Sequence, residues 1–93
     1  MCPYIKQVNK DFYDPKMKQL LECINSDTPK GDMNYIITML VIKSIGTKIS
    51  YSRISEMRDV LLDSWDEIGR KLMHPYEDSK IKENGDLPWP KIK

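Results

Sequence analysis

Residues 50–73 read SYSRISEMRDVLLDSWDEIGRKLM. Within them Ile54, Met57, Leu61, Trp65, Ile68 and Leu72 step by three, four, four, three and four residues, with Val60, Leu62 and Met73 flanking. That recurrence is one face of an α-helix. Ser50 has the side chain of an N-cap, and Ile49 before it is placed for a hydrophobic staple. At about 1.5 Å per residue the helix is about 35 Å long, longer than any other the sequence specifies. Part of its seam then has nothing within the chain to cover it. A homo-oligomer is the expected resolution; the alternative is that the N-terminal segment and the tail fold back over it.

Upstream, Asp14-Pro15 has the form of a helix start, with Asp as cap and Pro at the first helical position. Met17, Leu20, Leu21 and Ile24 follow at i, i+3, i+4 and i+7, a short amphipathic helix. Residues 25–31 are loop by composition, and Asp32 caps or opens a second helix that runs to about Ile45. Its Met33, Tyr35, Ile36, Ile37, Met39, Leu40, Val41, Ile42 and Ile45 cover almost every face, which predicts burial on most sides. Gly46 stops it in the C′ role. The β-branched run at 35–38 is the one place where a strand competes, and length together with Gly46 favours the helix. The predicted class is all-α: a small helical bundle of one short, one central buried and one long helix with an extended C-terminal tail. It is read as a single domain, 1–93, with an N-terminal arm (1–13), a helical core (14–74) and the tail (75–93).

A chain of 93 residues buries only about 60–65% of its unfolded surface, so the core is thin. Fifteen basic side chains against 14 acidic ones leave +1, and no field favours nonspecific nucleic-acid binding. The longest mostly apolar run, 35–42, is far short of a bilayer span. The N-terminus lacks the apolar region of a signal peptide, so the expected location is the cytoplasm, that of the host if the chain is phage-encoded. In that reducing setting Cys23 is read as a core or near-core residue and Cys2 as a free terminal thiol. No cofactor is implied, and no spacing resembles a zinc site.

The stretch 74–86, HPYEDSKIKENGD, has no apolar periodicity. Pro75 and Asn84-Gly85 fix two bends, and Tyr76 and Ile81 are its only anchors. Such a segment is held by specific polar contacts, wrapped over a surface. Trp89, between Pro88 and Pro90, lies outside any helix and reads as an exposed anchor.

No catalytic arrangement is legible. His74, the only histidine, precedes Pro75, which biases it to extended backbone at the end of the long helix, and no nucleophile pairs with it. Asp59, Asp63, Asp66 and Glu67 have the oxygens that a divalent cation takes, but Asp66 to Arg70 and Glu67 to Lys71 are i,i+4 pairs of an ordinary solvated face. Asp32 and Asn34 are polar groups beside a helix expected to be buried, so they need partners, in the tail or in a ligand. Tyr4, Tyr35, Tyr51, Tyr76, Trp65 and Trp89, mixed with Lys30, Lys48, Arg53, Arg70 and Lys80, suit either stacking on a base or a protein interface; Tyr35 and Trp65 are also natural core residues. The candidate ligand-binding set is Asp32, Asn34, Tyr51, Arg53, Tyr76, Lys80 and Asn84. Tyr76 and Asn84 are expected to form the site, with Arg53 or Lys80 facing an anionic group.

Four motifs in order, Pro3-Tyr4-Ile5, Gly31-Asp32-Met33-Asn34-Tyr35-Ile36-Ile37-Thr38, Ile49-Ser50-Tyr51-Ser52-Arg53-Ile54, and Pro75-Tyr76-Glu77-Asp78 through Lys80-Ile81 to Glu83-Asn84-Gly85-Asp86, resemble a family of small uncharacterised proteins of bacteriophages and bacteria. The chain departs from it at Met33, where leucine is expected, and at Leu87-Pro88-Trp89-Pro90. The resemblance implies a viral or prophage origin. A weaker similarity, Gly31-Asp32 before an apolar helix, is to all-α nucleotide pyrophosphohydrolases of the MazG type, which bind Mg²⁺ through carboxylates on paired helices. Here Pro29 and Lys30 stand where that pattern wants a Glu, and Asn25 follows Glu22 where it wants a second carboxylate. The expectation is a non-enzymatic binding protein that interferes with a host defence pathway, by sequestering a small nucleotide-like signal or by capturing a host protein. The alternatives are the pyrophosphohydrolase with an incomplete metal site and a purely structural helical oligomer.

Overall fold

The computed structural model describes residues 3–92 and is all-helical, with no strand among the described residues. Helix α1 is Gln7–Glu22, α2 is Lys30–Ile45, α3 is Tyr51–Ile68, and α4 is His74–Asn84, joined to α3 by a π-helical turn, Gly69–Met73. The expected order of short, central and long helices stands, as do the end of α2 at Ile45 and the start of α3 after Ser50, and the boundaries that differ do so for a physical reason.

Helix α1 begins at Gln7, inside the expected arm, and passes through Pro15 instead of starting there. Pro15 removes one amide donor, and the turns on either side supply local ties. Gln7 donates to the Asp11 carboxylate at 2.7 Å. Lys16 lies over the Phe12 ring, 3.8 Å from its centroid, and donates to the Phe12 carbonyl. The turn into α2 is self-contained: Asp27 N–H donates to Asn25 Oδ1 and Asn25 N–H to Thr28 Oγ1. Helix α2 starts at Lys30 with Asp32 in its first turn, where the positive end of the helix dipole favours a carboxylate.

The third helix is longer than expected. Residues 74–84, read as extended tail, are helical, and His74, with φ −65° and ψ −46°, is helical too. Pro75 lacks the amide that would continue an α-ladder, and its ring would crowd the preceding turn. The π turn widens the helix at that point, with the His74 amide bonded to the Gly69 carbonyl five residues back. Residues 51–84 thus form one rod of about 50 Å, matching the 51 Å long axis of the molecule. Gly85, with φ 87° and ψ 156°, then ends it.

Among the described residues none is buried. Helix α2 packs on α3, while α1 makes no close backbone approach to another helix. Burial of the central helix on most sides is therefore not met within one chain: a single neighbour covers one side, and Tyr35, Met39, Leu40 and Ile42 remain exposed. Cys23, Tyr35 and Trp65, expected in or near a core, are likewise exposed; Cys2 lies outside the described residues. The radius of gyration is 18.0 Å, where a compact chain of this length has about 12 Å. No helix among the described residues is long and apolar enough to cross a membrane.

Candidate functional site

Three places gather polar or aromatic side chains. The first is the corner between α2 and α3. Gly46, with φ 80° and ψ −166°, sits in a region that essentially only glycine occupies, and its amide donates to the Ile42 carbonyl. Ser50 caps α3 by accepting the Arg53 amide at 3.2 Å, while Ile49 stays 79% exposed and closes no staple. Arg53 then reaches back across the corner: Nε donates to the Ser44 carbonyl at 3.0 Å, Nη2 to Ser44 Oγ at 2.8 Å, and Nη1 to Glu56 at 3.0 Å. Ser44 Oγ in turn donates to Met57 Sδ. Arg53, read as available for an anionic group, pairs with the Glu56 carboxylate and satisfies an orphan carbonyl at the end of α2.

The second place joins the N-terminal arm to the end of α3. Tyr4 Oη donates to Glu67 Oε1 at 2.8 Å, and Arg70 donates to the same carboxylate at 2.7 Å. The hydrogen bond from Arg70, then that from Tyr4, holds the Glu67 carboxyl below its ordinary 4.5, and Glu67 raises Arg70. The i,i+4 pairing of Asp66 with Arg70 is thus replaced by the i,i+3 pair Glu67–Arg70, because Glu67 stands where Arg70 and Tyr4 converge. Beside it, the His74 ring lies over Gly69: a Cβ there would stand 3.6 Å from His74 Nε2. Among the described residues no group of three or more His, Cys, Asp or Glu side chains is placed to hold a metal ion.

The third place is a cleft of about 300 Å³ between α4 and the segment after Gly85, lined by Tyr76, Glu77, Lys80, Ile81, Leu87 and Trp89, with Gly85 and Asp86 at the turn. Gly85 reverses the chain, Asp86 Oδ1 accepts the Leu87 amide at 2.7 Å, and the Trp89 amide closes a tight turn onto the Leu87 carbonyl at 2.8 Å. Trp89 is thereby brought back to face α4. Lys80 lies 5.7 Å from the centroid of the Tyr76 ring and pairs with Glu83 at 3.1 Å. Tyr76 and Trp89 remain 64% and 69% exposed.

Of the sequence candidates, Tyr76 and Lys80 meet here. Asn84 ends α4 without lining the cleft. Tyr51 and Arg53 sit at the other end of the rod, about 35 Å away along its axis, so they cannot share a site with Tyr76 on one chain. Asp32 and Asn34 lie in the first turns of α2, where Asn34 Oδ1 accepts from Thr38 Oγ1 at 3.1 Å, an intrahelical partner in place of the tail. The contact between Tyr4 and Glu67 left no signal in the sequence, since 63 positions separate the two residues.

The chain belongs to the family described as a domain of unknown function (DUF6899), whose model matches residues 2–87 and so takes in all the helices. No curated protein and no solved structure matches it.

Proposed function

We propose that this protein is a non-enzymatic binding module that captures a protein partner through the cleft between α4 and the tail. The observation that carries the reading is the convergence of Tyr76 and Trp89, 13 positions apart in sequence, on one open cleft in which both rings stay mostly exposed. Large aromatics of this kind, exposed and flanked by charges, are the anchors of protein interfaces. The cleft carries Glu77 and Asp86 against Lys80, a balance that repels a phosphorylated ligand, and Arg53, the best anion-binding group, is engaged at the far corner. Protein capture is therefore preferred over sequestration of a nucleotide-like signal. The resemblance to phage proteins makes the target a host protein, and interference with a host defence pathway the role.

The test is affinity capture from host cells with the full chain, beside native mass spectrometry of the purified protein. Trp89→Ala and Tyr76→Ala are expected to lose a partner that the unsubstituted chain retains, at least tenfold in recovery, with unchanged Tm. Equal recovery by all three chains, or a small phosphorylated molecule retained in the native spectrum, overturns the reading.

A further inference from the structure

We propose that two copies of this chain pair antiparallel through α3, on a two-fold axis between Leu61 and Leu62, so that Trp65 of each copy enters the cleft of the other and stacks on its Arg58. Arg58, Leu61, Leu62 and Trp65 line an open cleft of about 430 Å³ on α3. They occupy positions i, i+3, i+4 and i+7, one face of the helix. Ile54, Ile68 and Leu72 continue that face in both directions, all exposed, and Trp65 is 71% exposed. Arg53 and Glu67, which reach α2 and the N-terminal arm, lie to another side by the same helical spacing, and Met57, at the edge of the seam, meets Ser44 of α2; α2 thus covers one flank, and the cleft itself stays open among the described residues.

A second copy fits for three reasons. The first is area: the chain exposes 9161 Å², about 3,500 Å² more than a compact monomer of its mass, whereas a stable dimer removes about 800 Å² or more from each partner. The second is symmetry. The cleft is its own complement about its midpoint: reversing the helix direction lays Leu61 on Leu62 and Arg58 on Trp65, the self-matching pattern of an isologous contact. The third is charge. Asp63 and Glu67 turn to the opposite side of the helix by the same spacing, while Asp59 and Asp66 flank the face, Asp59 beside Arg58 and Leu62 and Asp66 beside Trp65 and Ile68, so that Arg58 is the one charged side chain lining the cleft itself. A parallel, in-register pair would set Arg58 against Arg58 on an apolar seam; the antiparallel pair sets each guanidinium on an indole face, the geometry of a cation–π contact.

This inference is independent of the α4 cleft, which lies about 20 Å further along the rod from the proposed axis. Light scattering of the full chain at micromolar concentration should report twice the 10.9 kDa chain mass, and Leu61→Glu should halve the observed mass. Because that variant risks unfolding, orientation is read separately by disulfide trapping on a Cys2→Ser, Cys23→Ser background. Residues 58 and 65 of one helix are about 10 Å apart, too far for a disulfide within one chain. Neither Arg58→Cys nor Trp65→Cys alone should crosslink, and an equimolar mixture of the two should. A monomeric native chain, or Arg58→Cys crosslinking to itself, overturns the proposal, whether or not Trp89→Ala abolishes capture.

Discussion

The corner at residues 44–57 and the rod beyond Leu61 are built from similar helix-forming sequence, yet they are held in opposite ways. At the corner every device is local and polar: a glycine in a conformation other residues avoid, a serine cap, and an arginine that returns to the carbonyl of the helix before it. Along the rod the apolar side chains form an open seam instead, and none is buried. Capping chemistry fixes the angle between two helices because each hydrogen bond needs only its own partner. Apolar surface leaves water only when another apolar surface arrives, and this chain does not supply enough of it.

Four substitutions sharpen that contrast, beginning with the largest effect. Gly46 and Gly85 have similar strained backbones, φ 80° and 87°, but one sets the corner and the other only the tail. Gly46→Ala should lower stability by about 1–3 kcal/mol in denaturant unfolding, while Gly85→Ala should leave the unfolding midpoint nearly unchanged and weaken partner capture. Equal losses of stability would mean that the tail is a clasp on the fold and not a separate binding element.

Arg53→Lys comes next. A lysine keeps the charge but cannot reproduce the fork that joins the Ser44 carbonyl, Ser44 Oγ and Glu56. A loss of about 1 kcal/mol is expected in the same assay, with partner capture intact. If capture falls and stability does not, Arg53 contributes to the binding site as well as to the corner.

The smallest effect is at Glu67. Its carboxyl is held below 4.5 in the folded chain, chiefly by Arg70 and then by Tyr4. A lowered folded value contributes stability that is present above 4.5 and lost as pH falls through the folded value. The Tm difference between the unsubstituted chain and Glu67→Gln should therefore be present at neutral pH and close below pH 4.5. Because the Arg70 side of the pair is exposed to solvent, the difference should also shrink in high salt. A pH-independent difference would show that the arm is held by packing and not by this pair.

The helices from Lys30 to Ile68 were legible because their determinants are short-range: the spacing of the seam, the Ser50 cap and the Gly46 stop each act within a few residues. Proline misleads as punctuation in this chain. Pro15 and Pro75 both lie inside helices, and the wide turn that admits Pro75 depends on Gly69 five residues before His74. The candidate site divided in the same way. Tyr76 and Lys80 are neighbours because residues 74–84 are helical, which the reading of an extended tail does not give. Trp89 joins them only because Gly85 and Asp86 turn the chain back, and Arg53 leaves them because the rod puts about 35 Å between the two places.

By itself the sequence determined the all-α class, the order of the helices, the capped corner and an apolar seam longer than its surroundings, since all of these follow from periodicity and local hydrogen bonding. Only the tertiary structure decided that α3 and α4 run on as one rod, that Tyr4 reaches Glu67 across the chain, and that the seam stays open to solvent. Those outcomes depend on which surfaces meet in space, and the energy of a meeting between distant residues is written in no single stretch of the chain.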